Sequence, residues 1–321
     1  MTPMAKPNEI PVALVCYNRP WHTAQVLKAL MRHDVRNLYV FCDAPRHPAD
    51  AEPVGRARAL IRAIRWTRPH VVLQEANQGL ARSVVGAVNT VLAEHEQLIL
   101  LEDDCVPKRH FFEFMHACLT TYRDQPRVFG INGYTVPIPP TLLAAYPYDA
   151  YFYPRIGSWG WATWRRAWRH YDTDLGRLYR RCVEAGVDLM QGGADIPENV
   201  KAFLGGRARD SWTLQWVLAV YLQGGCYIYP TVSQIRNIGF DGSGVHFGSS
   251  RSKFDYEAQD HPVRRLPRQV FYQPELVTHY NAYFGGSSRP MAPTPPRPAE
   301  ASEAGRRRTI VHINTHDVAG G

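Results

Sequence analysis

Leu98-Ile99-Leu100-Leu101-Glu102-Asp103-Asp104-Cys105-Val106-Pro107 runs four apolar residues straight into three acids and stops at a proline. A run so short and so apolar predicts a buried strand. Three acids at its C-terminal end repel one another and resist desolvation, so a cationic partner is expected beside them. Hard carboxylate oxygens suit Mg²⁺ or Mn²⁺, which in phosphate chemistry often take only one or two carboxylates from the protein. The plainer reading is a solvated acidic turn after a strand, and the surrounding chain decides between the two.

Three similar units precede this strand. Val12 to Cys16 is apolar and breaks at Tyr17-Asn18-Arg19-Pro20, after which Trp21, Ala24, Leu27, Ala29 and Leu30 recur at helical spacing. Leu38 to Cys42 ends on Asp43-Ala44-Pro45 and leads to an Arg-rich helical stretch from about Pro53 to Trp66. Val71 to Leu73 passes through Asn77-Gln78-Gly79-Leu80-Ala81-Arg82 into a helix that ends near Glu94. Strands alternating with helices predict an α/β fold with a mostly parallel, Rossmann-like sheet flanked by helices, whose strand C-termini gather on one edge. Open α/β sheets bind ligands at that edge, and Asn18, Asp43, Asn77 and Asp104 all fall on it. No GxGxxG follows the first strand and no GxxxxGK[ST] occurs, which disfavours the dinucleotide and P-loop versions of the architecture.

The chain has 321 residues and a formal net charge of +8, ample for a sizeable core and biased towards anionic partners. Its basic residues are scattered, and no zinc-finger or RNP-like signature appears, so nucleic acid is not the expected partner. The six cysteines show no metal-ligand spacing and are expected to be reduced core residues of a cytoplasmic protein. No apolar leader opens the chain and no run of 18 apolar residues occurs, so neither secretion nor membrane spanning is expected, although a peripheral membrane contact is compatible.

The order Tyr17-Asn18-Arg19-Pro20, Asp43, Asn77-x-Gly79-x-x-Arg82 and Glu102-Asp103-Asp104 resembles a GT-A glycosyltransferase of the bacterial family 2 type, with the acidic triplet similar to its DxD motif. Gly157-Ser158-Trp159-Gly160-Trp161 and Asp210-Ser211-Trp212 resemble the second half of the N-acetylglucosaminyltransferase that starts complex N-glycan branches. The likeness spans roughly residues 11 to 250. It implies that Arg19 and Asp43 contact the donor base, with Tyr17 and Asn18 beside them, that Asn77, Gly79 and Arg82 approach ribose or phosphate, and that Asp103 holds the ribose. Glu102 would touch the donor sugar, and Asp104 would bind Mn²⁺ or Mg²⁺, with His246 completing the metal site. Simpler roles exist for several of these: Arg82 as a solvated charge, Asp43 as a helix cap, His246 as an ordinary surface or core residue.

In the second half, aromatic faces stack well on the C–H faces of sugar rings. Trp159 and Trp161 flank Gly160 in a loop-like segment and, with Trp212, are the expected acceptor contacts, whereas Trp164 and Trp168, four apart on an expected helix, read as core. Asp210 precedes an apolar helix, where it or Ser211 would serve as N-cap; the resemblance makes it the general base of an inverting transfer. That enzyme has two consecutive acids where this chain reads Asp-Ser-Trp. Glycines at 239, 242 and 244 predict a mobile loop over the donor.

Residues 1–284 are therefore read as one GT-A domain and 285–308, rich in Pro, Ser and Ala, as a linker. Residues 309–321 resemble the first strand and glycine loop of a GT-B glycosyltransferase of the family 4 type, and equally read as a tail. The expected activity is metal-dependent, inverting transfer of a sugar from a nucleotide-diphosphate donor, UDP favoured, to a glycan or lipid-linked acceptor. A sugar-phosphate nucleotidyltransferase and a non-catalytic nucleotide-sugar-binding domain are the alternatives.

Overall fold

The computed structural model describes residues 7–207, 211–242 and 252–284. Its first half repeats the strand-helix unit: β1 (Val12–Cys16), α1 (Pro20–Arg32), β2 (Leu38–Cys42), α2 (Ala51–Arg62), β3 (His70–Leu73), α3 (Leu80–Glu94) and β4 (Gln97–Glu102). β1 and β2 are buried at every residue, as expected of strands covered on both faces. Proline at the first position of α1 supplies a fixed φ where an N–H would have no helical partner.

The chain continues through β5 (Cys105–Pro107), α4 (Phe111–Thr121), β6 (Val128–Asn132), α5 (Pro140–Leu143), β7 (Ala150–Tyr153), β8 (Trp161–Trp164) and α6 (Arg165–Trp168). Then follow α7 (Leu175–Glu184), α8 (Asp195–Leu204), α9 (Thr213–Leu222), β9 (Cys226–Pro230), β10 (Ile235–Asn237) and α10 (Pro274–Tyr283). Every residue of α9 from Leu214 to Leu222 is buried, so an all-round apolar sequence becomes a helix enclosed in the core.

Eight strands form one sheet in the order β3-β2-β1-β4-β8-β6-β9-β7, while β5 and β10 pair apart from it. β8 and β7 run against the other six strands, so the sheet is mixed but mostly parallel, as the sequence predicts. β1 lies between β2 and β4, and the crossover order reverses there, which opens a crevice beyond the C-termini of β1 and β4.

The expected helix carrying both Trp164 and Trp168 is not formed as read. Trp161–Trp164 is an antiparallel strand between β4 and β6, and Trp164 is its last residue. The core assignment of both tryptophans holds, since each is buried. All six cysteines are buried and free. No helix among the described residues is long and apolar enough to cross a membrane. The expected linker at 285–308 and the segment 309–321 lie outside the described residues.

Candidate active site

The sheet pairs Val15 with Glu102, so the chain leaving β1 faces the chain leaving β4 across the crevice. Arg19 therefore meets the acidic turn. Its Nη2 donates to Asp103 Oδ1, and to Asp104 Oδ2 at 2.9 Å. The cation that the acids demand is thus supplied by the chain. Although burial opposes its charge, the two carboxylates raise the Arg19 pKa further. In the ligand-free chain the guanidinium of Arg19, expected to contact a donor base, is held by the nearest carboxylates.

Asp43 is likewise engaged by the chain's own groups. Its Oδ1 accepts from the Ala44 and Gln78 N–H groups at 2.8 and 2.9 Å, and its Oδ2 from the Gln78 and Gly79 N–H groups and the Ser83 hydroxyl. Those contacts fill a carboxylate's acceptor sites. Asp43 is a buried anchor at the N-terminus of α3, where negative charge is favoured. Asn77 reinforces the same junction by donating to Ala44 O at 2.7 Å, and Gly79 contributes its N–H to Asp43.

Tyr17 and Asn18 are held by a residue the sequence reading missed. Both donate to Asp50, at 2.7 and 2.8 Å, and Asp50 is acidified chiefly by the bond from Tyr17. Arg82 is exposed and makes no ion pair among the described residues. Residues 237–242 fold against the acidic turn: the Ile238 N–H donates to Asp104 O at 2.9 Å, and Asp241 Oδ2 lies 3.1 Å from His22 Nε2.

Glu102 joins this crevice to a cavity of about 530 Å³. Burial, and then the charges of Asp104 and Asp103, push its pKa up to about 8 against the pull of Arg19. Trp159, Trp212, Tyr134, Phe254, Tyr280 and Phe284 give the cavity aromatic walls. Arg155, also missed from sequence, lies on its wall in a two-point ion pair with Asp195, at 2.7 and 2.8 Å, and over the ring of Phe284. Asn132, at the end of β6, is a further lining residue that no motif flagged.

The expected acceptor residues divide. Trp159 and Trp212 line the cavity. Trp161 does not: it is fully buried and stacks on Trp212 with ring centroids 5.1 Å apart, because β8 turns it into the core. Gly160 has φ +60 and donates no surface to the cavity; its carbonyl accepts from the Gly133 N–H at 2.6 Å in a turn that favours glycine. Asp210 and His246 lie outside the described residues. The N-cap position of α9, expected at Asp210 or Ser211, falls on Trp212, which gives no side-chain cap; Ser211, one residue before it, accepts from the Leu214 N–H at 3.3 Å.

Among the described residues no group of three or more His, Cys, Asp or Glu side chains is arranged to hold a metal ion. The donor chemistry of Asp103 and Asp104 nonetheless fits a divalent cation that arrives with phosphates, since such an ion needs few protein carboxylates.

No family model and no curated protein sequence matches the chain. Among solved structures, a mannosyltransferase from Pyrobaculum calidifontis in complex with GDP-Man and Mn²⁺ is similar at 16% identity and a TM-score of 0.35, over 53% of this chain and 50% of that one. The match thus spans half the length of that protein. Mouse xyloside xylosyltransferase 1 is similar at 14% identity and a TM-score of 0.34, over 66% of this chain and 81% of that one. A glucose-1-phosphate thymidylyltransferase from Bacillus anthracis, itself described as putative, is similar at 9% identity and a TM-score of 0.25, over 40% and 61%.

Proposed function

We propose that the chain is a GT-A glycosyltransferase that moves a sugar from a nucleotide-diphosphate donor, UDP favoured, to a hydroxyl of a glycan or lipid-linked acceptor. The observation that carries this reading is the position of Glu102. It ends β4, is followed directly by the Arg19-braced acids, and lines the aromatic cavity, which supports reading the acidic turn as the diphosphate end of a site whose sugar end is the cavity.

In this reading Asp104 holds Mn²⁺ or Mg²⁺, with His246 as the second protein ligand, and Asp103 contacts the ribose. The bound cation would stabilise the negative charge that develops on the leaving diphosphate. Arg19, poised at the same turn, brings a second positive charge to that end of the crevice. Asp210 takes the proton of the acceptor hydroxyl in a single in-line displacement, which inverts the anomeric centre. Trp159 and Trp212 give the sugar its apolar faces.

The test is thermal unfolding of the full chain with UDP, GDP and dTDP and their sugars, each with and without Mn²⁺. A ligand that binds only the folded state raises its stability, by about 2.7 kcal/mol at a hundred times its Kd. The reading expects stabilisation by one nucleotide class that requires the cation. No shift with any of them would overturn it.

A further inference from the structure

We propose that Asn132 determines which sugar the cavity accepts: its Oδ1 takes a hydrogen bond from a hydroxyl or amide N–H of a neutral sugar residue seated there. The inference rests on the transferase reading for its ligand class and on Asn132 for its geometry.

Asn132 is 2% exposed. Its Nδ2 donates to Tyr134 O at 2.7 Å, which fixes the orientation of the amide. Oδ1 is then the free end, and it is buried without a hydrogen-bond partner. A buried acceptor left in that state costs about 1–3 kcal/mol, so native structures keep few of them. Asn132 lines the cavity and its Oδ1 is closed off just beneath the wall, so a ligand completes it as the Gly157 backbone against the amide gives way.

The surroundings keep the amide close to the cavity and set the class of ligand. Gly157 also lines the cavity, and a Cβ there would lie 2.2 Å from Asn132 Nδ2 and 2.7 Å from Oδ1. Any larger residue at 157 would displace the amide. The row Leu100, Trp161, Asn132 crosses three neighbouring strands, and Glu102, two residues beyond Leu100, shares its face. Glu102 and Asn132 thus flank the cavity from strands about 10 Å apart, the span of a pyranose with one hydrogen bond at each side. The charge of Arg155, the one cationic residue lining the cavity among the described residues, is already met by Asp195, which disfavours a carboxylate or phosphate there. Aromatic walls and an unpaired amide oxygen fit a neutral ring with polar edges.

The experiment is saturation-transfer NMR on the full chain with methyl hexopyranosides, with methyl N-acetylhexosaminides and, separately, with nucleotide sugars in Mn²⁺. Binding of the free glycosides marks the acceptor as the source of the sugar, and binding of nucleotide sugars alone marks the donor. Single-deoxy analogues of the bound sugar are then compared. The wild-type chain should lose at least about tenfold in affinity for one deoxy analogue, and Asn132→Leu should bind that analogue and its parent equally. Equal wild-type affinity for every deoxy analogue would overturn the proposal without need of the variant, with a bound water satisfying Oδ1 instead. So would discrimination that survives in Asn132→Leu. If nucleotides bind while no sugar is discriminated, only this proposal fails; if sugars are discriminated while no nucleotide stabilises the fold, only the transferase reading fails.

Discussion

Arg19 Nη2 stands 2.9 Å from Asp104 Oδ2 while the same nitrogen bonds Asp103, so one guanidinium bridges both acids of the turn. All three side chains are largely shielded from water. Breaking such a pair leaves uncompensated charge in a poor solvent. Arg19→Met should therefore lower the stability of the metal-free chain by about 3 kcal/mol. Mn²⁺ should restore more of the melting temperature in the variant than it adds to the wild type, because in the wild type it competes with the guanidinium. Equal Mn²⁺ shifts in both proteins would show that Arg19 and the cation do not share the turn.

Gly239 lies against the side chains of that turn. A Cβ there would lie 2.3 Å from Asp104 Oδ2 and 3.2 Å from Arg19 Nη1, so alanine forces the carboxylate aside. Gly239→Ala should weaken Mn²⁺-dependent nucleotide binding by about tenfold or more, with a stability loss of only about 1–2 kcal/mol. Calorimetric titration of nucleotide with Mn²⁺ checks this, and unchanged affinity would remove Asp104 from the cation site.

The first four sheet strands and the acidic turn are legible because fully buried strands announce themselves as short apolar runs bounded by polar loops. Even the need for a cation beside Asp103 and Asp104 follows from charge alone. Its identity does not. Arg19 is 84 residues away from Asp103 and meets it only because β1 and β4 are neighbours in the sheet. Asn132, Arg155 and Asp195 share that difficulty, since no local spacing connects them. Trp161, by contrast, reads from sequence as part of a loop-like segment, and one antiparallel insertion between β4 and β6 makes it a strand residue that packs inward.

Asp149 gives the fold a pH dependence on the cavity side. Burial works against its charge, but the Arg264 and Arg265 N–H groups, at 2.9 and 2.8 Å, together with His261, hold its pKa below the usual carboxylate range. It ties that segment to the start of β7, and the chain beyond leads to α10 and its cavity residue Tyr280. A depressed folded-state pKa contributes stability that is present above the unfolded pKa of about 4 and is lost as pH falls through the folded value. Asp149→Asn should thus cost about 1–3 kcal/mol near neutral pH, and the gap from wild type should close as the pH is lowered towards 3. A gap in melting temperature that stays constant across that range would show that the charge of Asp149 is not what holds the segment.

Asp210 separates a transferase from a binding module. Ser211, one residue before the N-cap residue Trp212, accepts from the Leu214 N–H and so satisfies one donor of the first turn of α9. Ser211→Ala should cost about 1 kcal/mol. Asp210→Asn keeps the size and capping capacity of the side chain and removes only its basic carboxylate. If Asp210 is the general base, the Asn variant should keep its donor affinity and lose a factor of about 10² to 10⁴ in turnover. Turnover and nucleotide affinity measured on the same preparation decide the matter: an Asn variant within a few-fold of the parent would leave the inverting mechanism without its base, and loss of donor binding in step with turnover would place Asp210 in the nucleotide site instead.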